Sequence, residues 1–120
     1  MSKKIVLLLL VVLSLCTPVQ SAELVFVELK GCIFCLRFNK QIAPTYNAGK
    51  YGHLIPLRRI DLAKTWPADL VKVKQPNAAP WFILVDEGRE IGRFAGYTNS
   101  ARFDRNLSGL IRKLLRSHGV

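Results

Sequence analysis

The alternation of short β-rich segments with segments of helical periodicity most constrains the fold of this chain. Residues 23–29 (ELVFVEL) are apolar and β-rich, which is typical of a buried strand. A helical repeat follows, with apolar residues every four positions, at Phe34, Phe38, Ile42 and Tyr46. Pro44 is expected to kink or end this helix. Residues 54–62 then predict a second strand, and two strands joined by a helical crossover are expected to be parallel.

The second half of the chain predicts another helix, a hairpin and a closing helix. A short helix carrying Leu70 and Val73 is expected between Thr65, as its N-cap, and Pro76. Residues 81–85 predict a third strand and residues 89–95 a fourth, with a turn signal at 86–88 and a bulge at Gly92. A terminal helix capped by Asn99 or Ser100 carries one apolar stripe, at Phe103, Leu107, Leu110, Ile111 and Leu114. The predicted fold is α/β, in the order β-α-β-α-β-β-α, with a four-stranded mixed sheet and helices on both faces.

A basic start followed by a short apolar run marks the N-terminus as a secretory signal peptide. Lys3 and Lys4 precede the apolar residues 5–15, a run shorter than the ~18 residues that span a bilayer. Small residues at positions 21 and 22 give two candidate cleavage sites, so we assign 1–22 to the signal peptide and 23–120 to one domain. Lipidation at Cys16, after the bulky Leu15, and an uncleaved anchor are the alternatives. Export predicts a periplasmic location.

Export leaves Cys32 and Cys35 as the only cysteines, in an oxidising compartment. A disulfide between them closes a loop too short to contribute much loop-closure entropy. This favours a redox role for the pair over a structural one. Cys32 is expected at a helix N-terminus, where the macrodipole and Lys30 lower its pKa below the usual value of about 8.5. Cys35, one turn later and more buried, is expected to resolve the mixed disulfide that Cys32 forms.

A C-x-x-C pair alone is a weak motif, and half of a zinc site or a structural loop are its alternatives. Zinc would need two further nitrogen or sulfur ligands. His53 and His118 are the only histidines in the chain, and His118 belongs to the C-terminal tail. We therefore expect no metal and no cofactor.

Pro80 directly opens the third predicted strand, which fits a cis bond between Ala79 and Pro80. With the C-x-x-C pair at a strand–helix junction, this proline, the hairpin and the closing helix, the chain resembles the thioredoxin family over residues 23–117. The resemblance implies a minimal thioredoxin-like fold in which Pro80 lies against the cysteine pair. It also implies that Ala79 offers backbone hydrogen bonds to an extended substrate, and that Gly96 is the glycine kept near the active site.

The chain also departs from the usual thioredoxin pattern. It lacks room for an additional strand and helix before the cysteine strand, and Phe26 occupies the position of a buried acid six residues before the first cysteine. Glu28, on the same strand face, could take over proton transfer and, with Lys30, tune the thiols. A partly exposed carboxylate at the strand end is the plainer interpretation. Phe34, between the cysteines, is expected to be partly exposed and to help dock a partner peptide.

Residues 31–62 and 79–97 resemble the periplasmic thioredoxins of bacterial sulfur-oxidation systems. This resemblance implies a monomeric thiol-disulfide reductase acting on protein disulfides, which would keep the sulfur-binding cysteine of a carrier protein reduced. Its electrons would come from a membrane thiol transporter. A disulfide oxidase or isomerase is an alternative with the same chemistry, and a redox-inactive thioredoxin-like binding module is an alternative of another class.

The chain has a formal charge of +10, and removing residues 1–22 takes away two of its 18 basic residues, leaving 16 against 8 acidic ones. No nucleic-acid-binding motif accompanies this excess, and an exported protein seldom meets nucleic acid, so we expect no nucleic-acid partner. A solvated basic face is the plain interpretation. Docking to an acidic partner protein or to an anionic membrane surface is the alternative.

Overall fold

The computed structural model describes residues 21–120, so nearly all of the predicted signal peptide lies outside the described residues. The elements, in chain order, are β1 (Glu23–Glu28), α1 (Ile33–Gln41), α2 (Ala43–Tyr46), β2 (Leu57–Asp61), a 3₁₀ helix (Ala68–Leu70), β3 (Trp81–Asp86), β4 (Arg89–Ala95) and α3 (Ser100–Ser117). Within this part of the chain, no helix combines the length and the apolar character needed to cross a bilayer.

The four strands form one mixed sheet in the order β2-β1-β3-β4, as predicted. β1 pairs in parallel with β2 and antiparallel with β3, and β3 and β4 form the expected hairpin. Glu87 and Gly88 connect the hairpin with φ angles of 53° and 76°, the left-handed conformation that matches the twist of paired strands. The register shifts between Leu84 and Val85, opposite Gly92 and Glu90, which confirms the predicted bulge.

An aromatic core joins one face of the sheet to α1 and α3. Phe38 of α1 is fully buried, with its ring centroid 4.5 Å from that of Phe26 and 4.8 Å from that of Phe82. Phe103 of α3 adds a fourth ring, 5.3 Å from Phe38. The helical segment after the cysteines breaks at Ile42, just before Pro44, as predicted for a proline in this position.

The opposite face of the sheet is covered by a single 3₁₀ turn, where the sequence predicted an α-helix. Leu70 and Val73 are buried there, as expected, in a cluster with Val25 and Ile83. Their i, i+3 spacing suits a 3₁₀ turn as well as an α-helix, so the sequence pattern could not distinguish the two. The predicted cap at Thr65 is wrong, because Pro67 precedes the turn and no side chain caps it.

The starts of β2 and α3 can be compared with their predicted positions. β2 begins at Leu57, later than predicted, since the preceding residues form turns that leave Ile55 buried as part of a loop. α3 begins after Asn99, whose side-chain oxygen accepts a hydrogen bond of 2.9 Å from the Arg102 N–H. This choice of Asn99 satisfies one of the free N–H groups of the first turn.

A candidate redox site at the start of the first helix

The junction between β1 and α1 positions the cysteine pair. Gly31 has a φ of +85°, a conformation that few residues with a side chain adopt, and it turns the chain from the strand into the helix. Cys32 follows as the N-cap residue of α1, and its Sγ accepts a hydrogen bond of 3.2 Å from the Cys35 N–H. The first sulfur therefore lies among the unpaired N–H groups of a helix N-terminus.

Cys32 and Cys35 form a disulfide across one helical turn, with 5.2 Å between their Cα atoms. Cys35 is only 2% exposed and belongs to the core cluster, whereas Cys32 is partly exposed at the edge of that cluster. A partner sulfur can thus approach Cys32 far more easily than Cys35. This asymmetry fits the two roles expected of an attacking and a resolving thiol.

Three of the residues that the family resemblance assigned to substrate binding lie at strand ends, Ala79 and Pro80 just before β3 and Gly96 just after β4. The bond between Ala79 and Pro80 is cis, and Pro80 is buried. The Pro80 carbonyl accepts a hydrogen bond of 2.9 Å from the N–H of Gly96, which has a φ of +80°. Ala79 is partly buried and packs against the core cluster that contains Cys35. The contact of these residues with a substrate stays a prediction.

A cleft of about 560 Å³ opens beside the disulfide and brings the predicted tuning residues together. Glu28, Lys30, Cys32, Cys35 and Arg59 are among the residues that line it. Phe34, which directly precedes Cys35 in the chain, is not among the residues that line this cleft. It is 47% exposed, and the Arg37 guanidinium carbon lies 5.6 Å from its ring centroid. The disulfide is therefore bordered by a charged cleft and by an exposed aromatic ring.

Arg59 and Asn39 are two residues of the cleft that the sequence did not single out. Arg59 Nη1 donates hydrogen bonds to Glu28 Oε2 at 2.8 Å and to Asn39 Oδ1 at 2.5 Å. Its guanidinium carbon also lies 5.6 Å from the ring centroid of Phe26. The parallel register pairs Phe26 with Arg59, so the position of the missing buried acid faces a cation on the next strand. A single sequence does not reveal the register of two paired strands, so this contact could not be predicted.

Neither histidine extends the site into a metal centre. Within residues 21–120, no group of three or more His, Cys, Asp or Glu side chains is arranged to hold a metal ion. His118 lies just beyond α3 and its Nε2 is 2.7 Å from Asp86 Oδ2, while His53 is exposed.

The reduced protein should be alkylated first at Cys32. The helix N-terminus favours the thiolate of Cys32, whereas the burial of Cys35 disfavours its charged form and blocks the reagent. Treatment with limiting iodoacetamide near neutral pH, followed by peptide mass spectrometry, measures the order of labelling. Faster labelling of Cys35 would contradict the assignment of the two roles.

The chain is similar in structure to proteins that have been solved before. No family model and no curated protein matches the chain. Twelve chains of solved structures do match it. One is the crystal structure of the periplasmic thioredoxin SoxS from Paracoccus pantotrophus in its reduced form, which is 29% identical and superposes with a TM-score of 0.73. The match covers 78% of this chain and 98% of the other chain.

Proposed function

Because this chain is a thioredoxin-like protein with a Cys32–Cys35 disulfide at a helix N-terminus, we propose that it is a periplasmic reductase of protein disulfides. A thioredoxin-like fold with this pair supports thiol-disulfide exchange as the chemistry. The observation that carries the proposal is the asymmetry of the pair, with one reachable sulfur in the cap position and one sulfur in the core. The name of the related structure supports the periplasmic location.

The proposed reaction moves two electrons from the protein to its partner in two exchange steps. The Cys32 thiolate attacks one sulfur of the partner disulfide, so a mixed disulfide forms and the other partner sulfur leaves as a thiolate. Cys35 then loses its proton and attacks Cys32 Sγ, which releases the second partner sulfur and leaves the Cys32–Cys35 disulfide. The Cys32–Cys35 disulfide of the structure corresponds to the oxidised end of this proposed cycle.

Glu28 and Lys30 are proposed to tune these steps from the cleft beside the pair. Both residues line the same cleft as Cys35. Arg59 holds Glu28 at 2.8 Å, and we propose that the Glu28 carboxylate accepts the Cys35 proton within the cleft that both residues line. Lys30, on the turn before Cys32, adds positive charge close to the thiolate.

We further propose a particular substrate and a particular electron donor. The resemblance of residues 31–62 and 79–97 to the thioredoxins of sulfur oxidation supports a carrier protein of that system as the partner, its cysteine being kept reduced. Ala79, Pro80 and Gly96 would hold the partner segment in extended form beside Cys32. A membrane thiol transporter would return electrons to the pair.

The reduction potential of the Cys32–Cys35 couple tests the direction of the reaction. A reductase is expected to have a reduction potential of about −270 mV, as thioredoxin has. Strongly oxidising periplasmic catalysts have potentials of about −120 mV. Equilibration with glutathione or dithiothreitol buffers, followed by alkylation and mass spectrometry, measures it. A value in the oxidising range would replace the reductase with an oxidase or isomerase. A pair that no such buffer reduces would indicate a redox-inactive binding module.

A further inference from the structure

The positive charge of this domain is concentrated in its helical layer. Residues 32–56 and 96–120, which contain α1, α2 and α3, carry eight basic residues and one acidic residue, Asp104. Residues 23–31 and 57–95, which form the sheet and the 3₁₀ face, carry eight basic and seven acidic residues. Almost the whole excess of positive charge in the domain therefore belongs to the helical layer.

The densest part of this charge is a stripe along α3. Five exposed cations form it: Arg102, Arg105, Arg112, Lys113 and Arg116. At 3.6 residues per turn they fall within about 100° of arc and extend over about 21 Å of helix. The side that bears Phe103, Leu107 and Leu114 is buried against the sheet, so the stripe faces solvent.

The cations of the stripe are unpaired, in contrast to several on the sheet. In the described part of the chain, none of the five lies within ion-pair distance of a carboxylate. On the sheet, Arg58 binds two carboxylates, and Arg59 and Arg93 bind one each. Within the described residues, three cations of the sheet are thus ion-paired and none of the stripe is.

Contacts between α1 and the segment entering α3 connect the stripe to the helix that carries the cysteine pair. The Tyr97 hydroxyl donates a hydrogen bond of 2.6 Å to Gln41 Oε1, which joins the last turn of α1 to the segment entering α3. Arg102 lines a small cavity together with Gly96 and Tyr97. Burial raises the pKa of Tyr97 and the positive charge of Arg37 partly opposes this rise, which places that α1 cation near the same point. The basic surface therefore reaches from α3 to the helix that begins at Cys32.

Exposed apolar side chains border the disulfide at the end of this surface. Ile33, Phe34 and Leu36 of the first turn of α1 are 63%, 47% and 55% exposed. A cluster of such side chains beside a reactive cysteine suits the apolar side chains of a protein partner. An extended bilayer lying on the basic layer would instead obstruct the approach of proteins to Cys32.

We infer that the helical layer is a docking surface for an acidic protein segment that flanks the disulfide attacked by Cys32. The inference rests on the proposed function, because it names the kind of partner that the redox site receives. Ile33 and Phe34 anchor the partner beside its disulfide, and the cations of α3 attract its carboxylates. Such charge complementarity mainly raises the rate of association and discriminates against other partners.

Two disulfide peptides that differ only in flanking glutamates or glutamines test this surface. Single-turnover reduction by the reduced protein gives a rate constant for each, and we expect the acidic peptide to react about tenfold faster at low salt. The ratio should approach one at about 1 M salt, where the Debye length is about 3 Å. The variant Arg102→Gln/Arg105→Gln/Arg112→Gln should lower the low-salt ratio at least about threefold.

The matched control removes three exposed cations from residues 57–95, outside the α3 stripe, as Lys72→Gln/Lys74→Gln/Arg89→Gln. It should leave the ratio unchanged, and an equal loss in both variants would overturn the inference in favour of net charge alone. Equal rates for the two peptides with the unaltered protein would also overturn it. So would loss of adsorption to phosphatidylglycerol vesicles in the α3 variant with an unchanged peptide ratio, which would indicate a membrane surface.

A binding measurement tests the docking surface separately from catalytic turnover. If neither peptide is reduced, the proposed function fails. The affinity of the oxidised protein for disulfide-free forms of the two peptides then decides the docking surface alone. Stronger binding of the acidic form, weakened in the α3 variant only, supports the surface, and equal binding contradicts it.

Discussion

Replacing Cys35 by serine is expected to convert this protein into a trap for its partners. Cys32 remains at the helix N-terminus and can still attack a partner disulfide, but no thiolate remains at position 35 to break the mixed disulfide. Multiple turnover should be lost, and a covalent complex should accumulate. Non-reducing gel electrophoresis of a periplasmic extract, followed by mass spectrometry, measures the complex and identifies the partner.

The variant Cys32→Ser is the control for this trap. Its remaining sulfur belongs to a residue that is only 2% exposed, so it should neither turn over nor form complexes. Capture of partners by Cys32→Ser and not by Cys35→Ser would reverse the two roles. Capture of a sulfur-oxidation carrier protein would support the proposed substrate, and consistent capture of other proteins alone would argue against it.

Truncating Phe38 to alanine is expected to cause the largest loss of stability of any single side-chain change on α1. Phe38 is fully buried, and its ring packs against those of Phe26, Phe82 and Phe103. Removing a buried phenylalanine leaves a cavity in addition to losing apolar burial, so the free energy of unfolding should fall by about 3–5 kcal/mol. Urea denaturation of the oxidised protein measures this change.

Phe34→Ala provides a matched control on the same helix. Phe34 is the same residue type four positions earlier, but it is substantially exposed, so its loss should lower the unfolding free energy by less than about 1 kcal/mol. Similar losses in the two variants would contradict the position of Phe38 at the centre of the core. The disulfide must stay oxidised in both proteins, so that the comparison reports packing alone.

Much of the fold could be predicted because its signals are local. The runs at 23–29 and 81–85 are apolar on both faces, as strands covered on both sides of a sheet must be. The turn at Glu87 and Gly88 and the break before Pro44 each depend on one or two residues whose conformational limits are known. The cysteine pair was placed correctly at a helix N-terminus because the first strand and the first helix were both assigned.

The features that the sequence did not give depend on tertiary contacts. The spacing of Leu70 and Val73 is shared by two kinds of helix, and only the packing decides between them. The contact of Arg59 with Glu28 follows from the register of two parallel strands, which residue patterns do not specify. The helical repeat alone sets the α3 cations opposite its apolar side. Whether a carboxylate of residues 21–120 pairs with them depends on the neighbouring elements, and none does.

The redox and folding equilibria of this protein are two parts of one thermodynamic cycle, and its disulfide spans a single helical turn. Because the cross-link closes so short a loop, it restricts the unfolded chain little. Any difference in stability between the oxidised and reduced proteins must then arise mainly in the folded state, from the helix N-terminus and its surroundings. Each shift of about 30 mV from the potential of the unfolded dithiol corresponds to about 1.4 kcal/mol of that difference. Denaturation curves of the two redox forms therefore report how strongly the fold favours the electron-donating or the electron-accepting state.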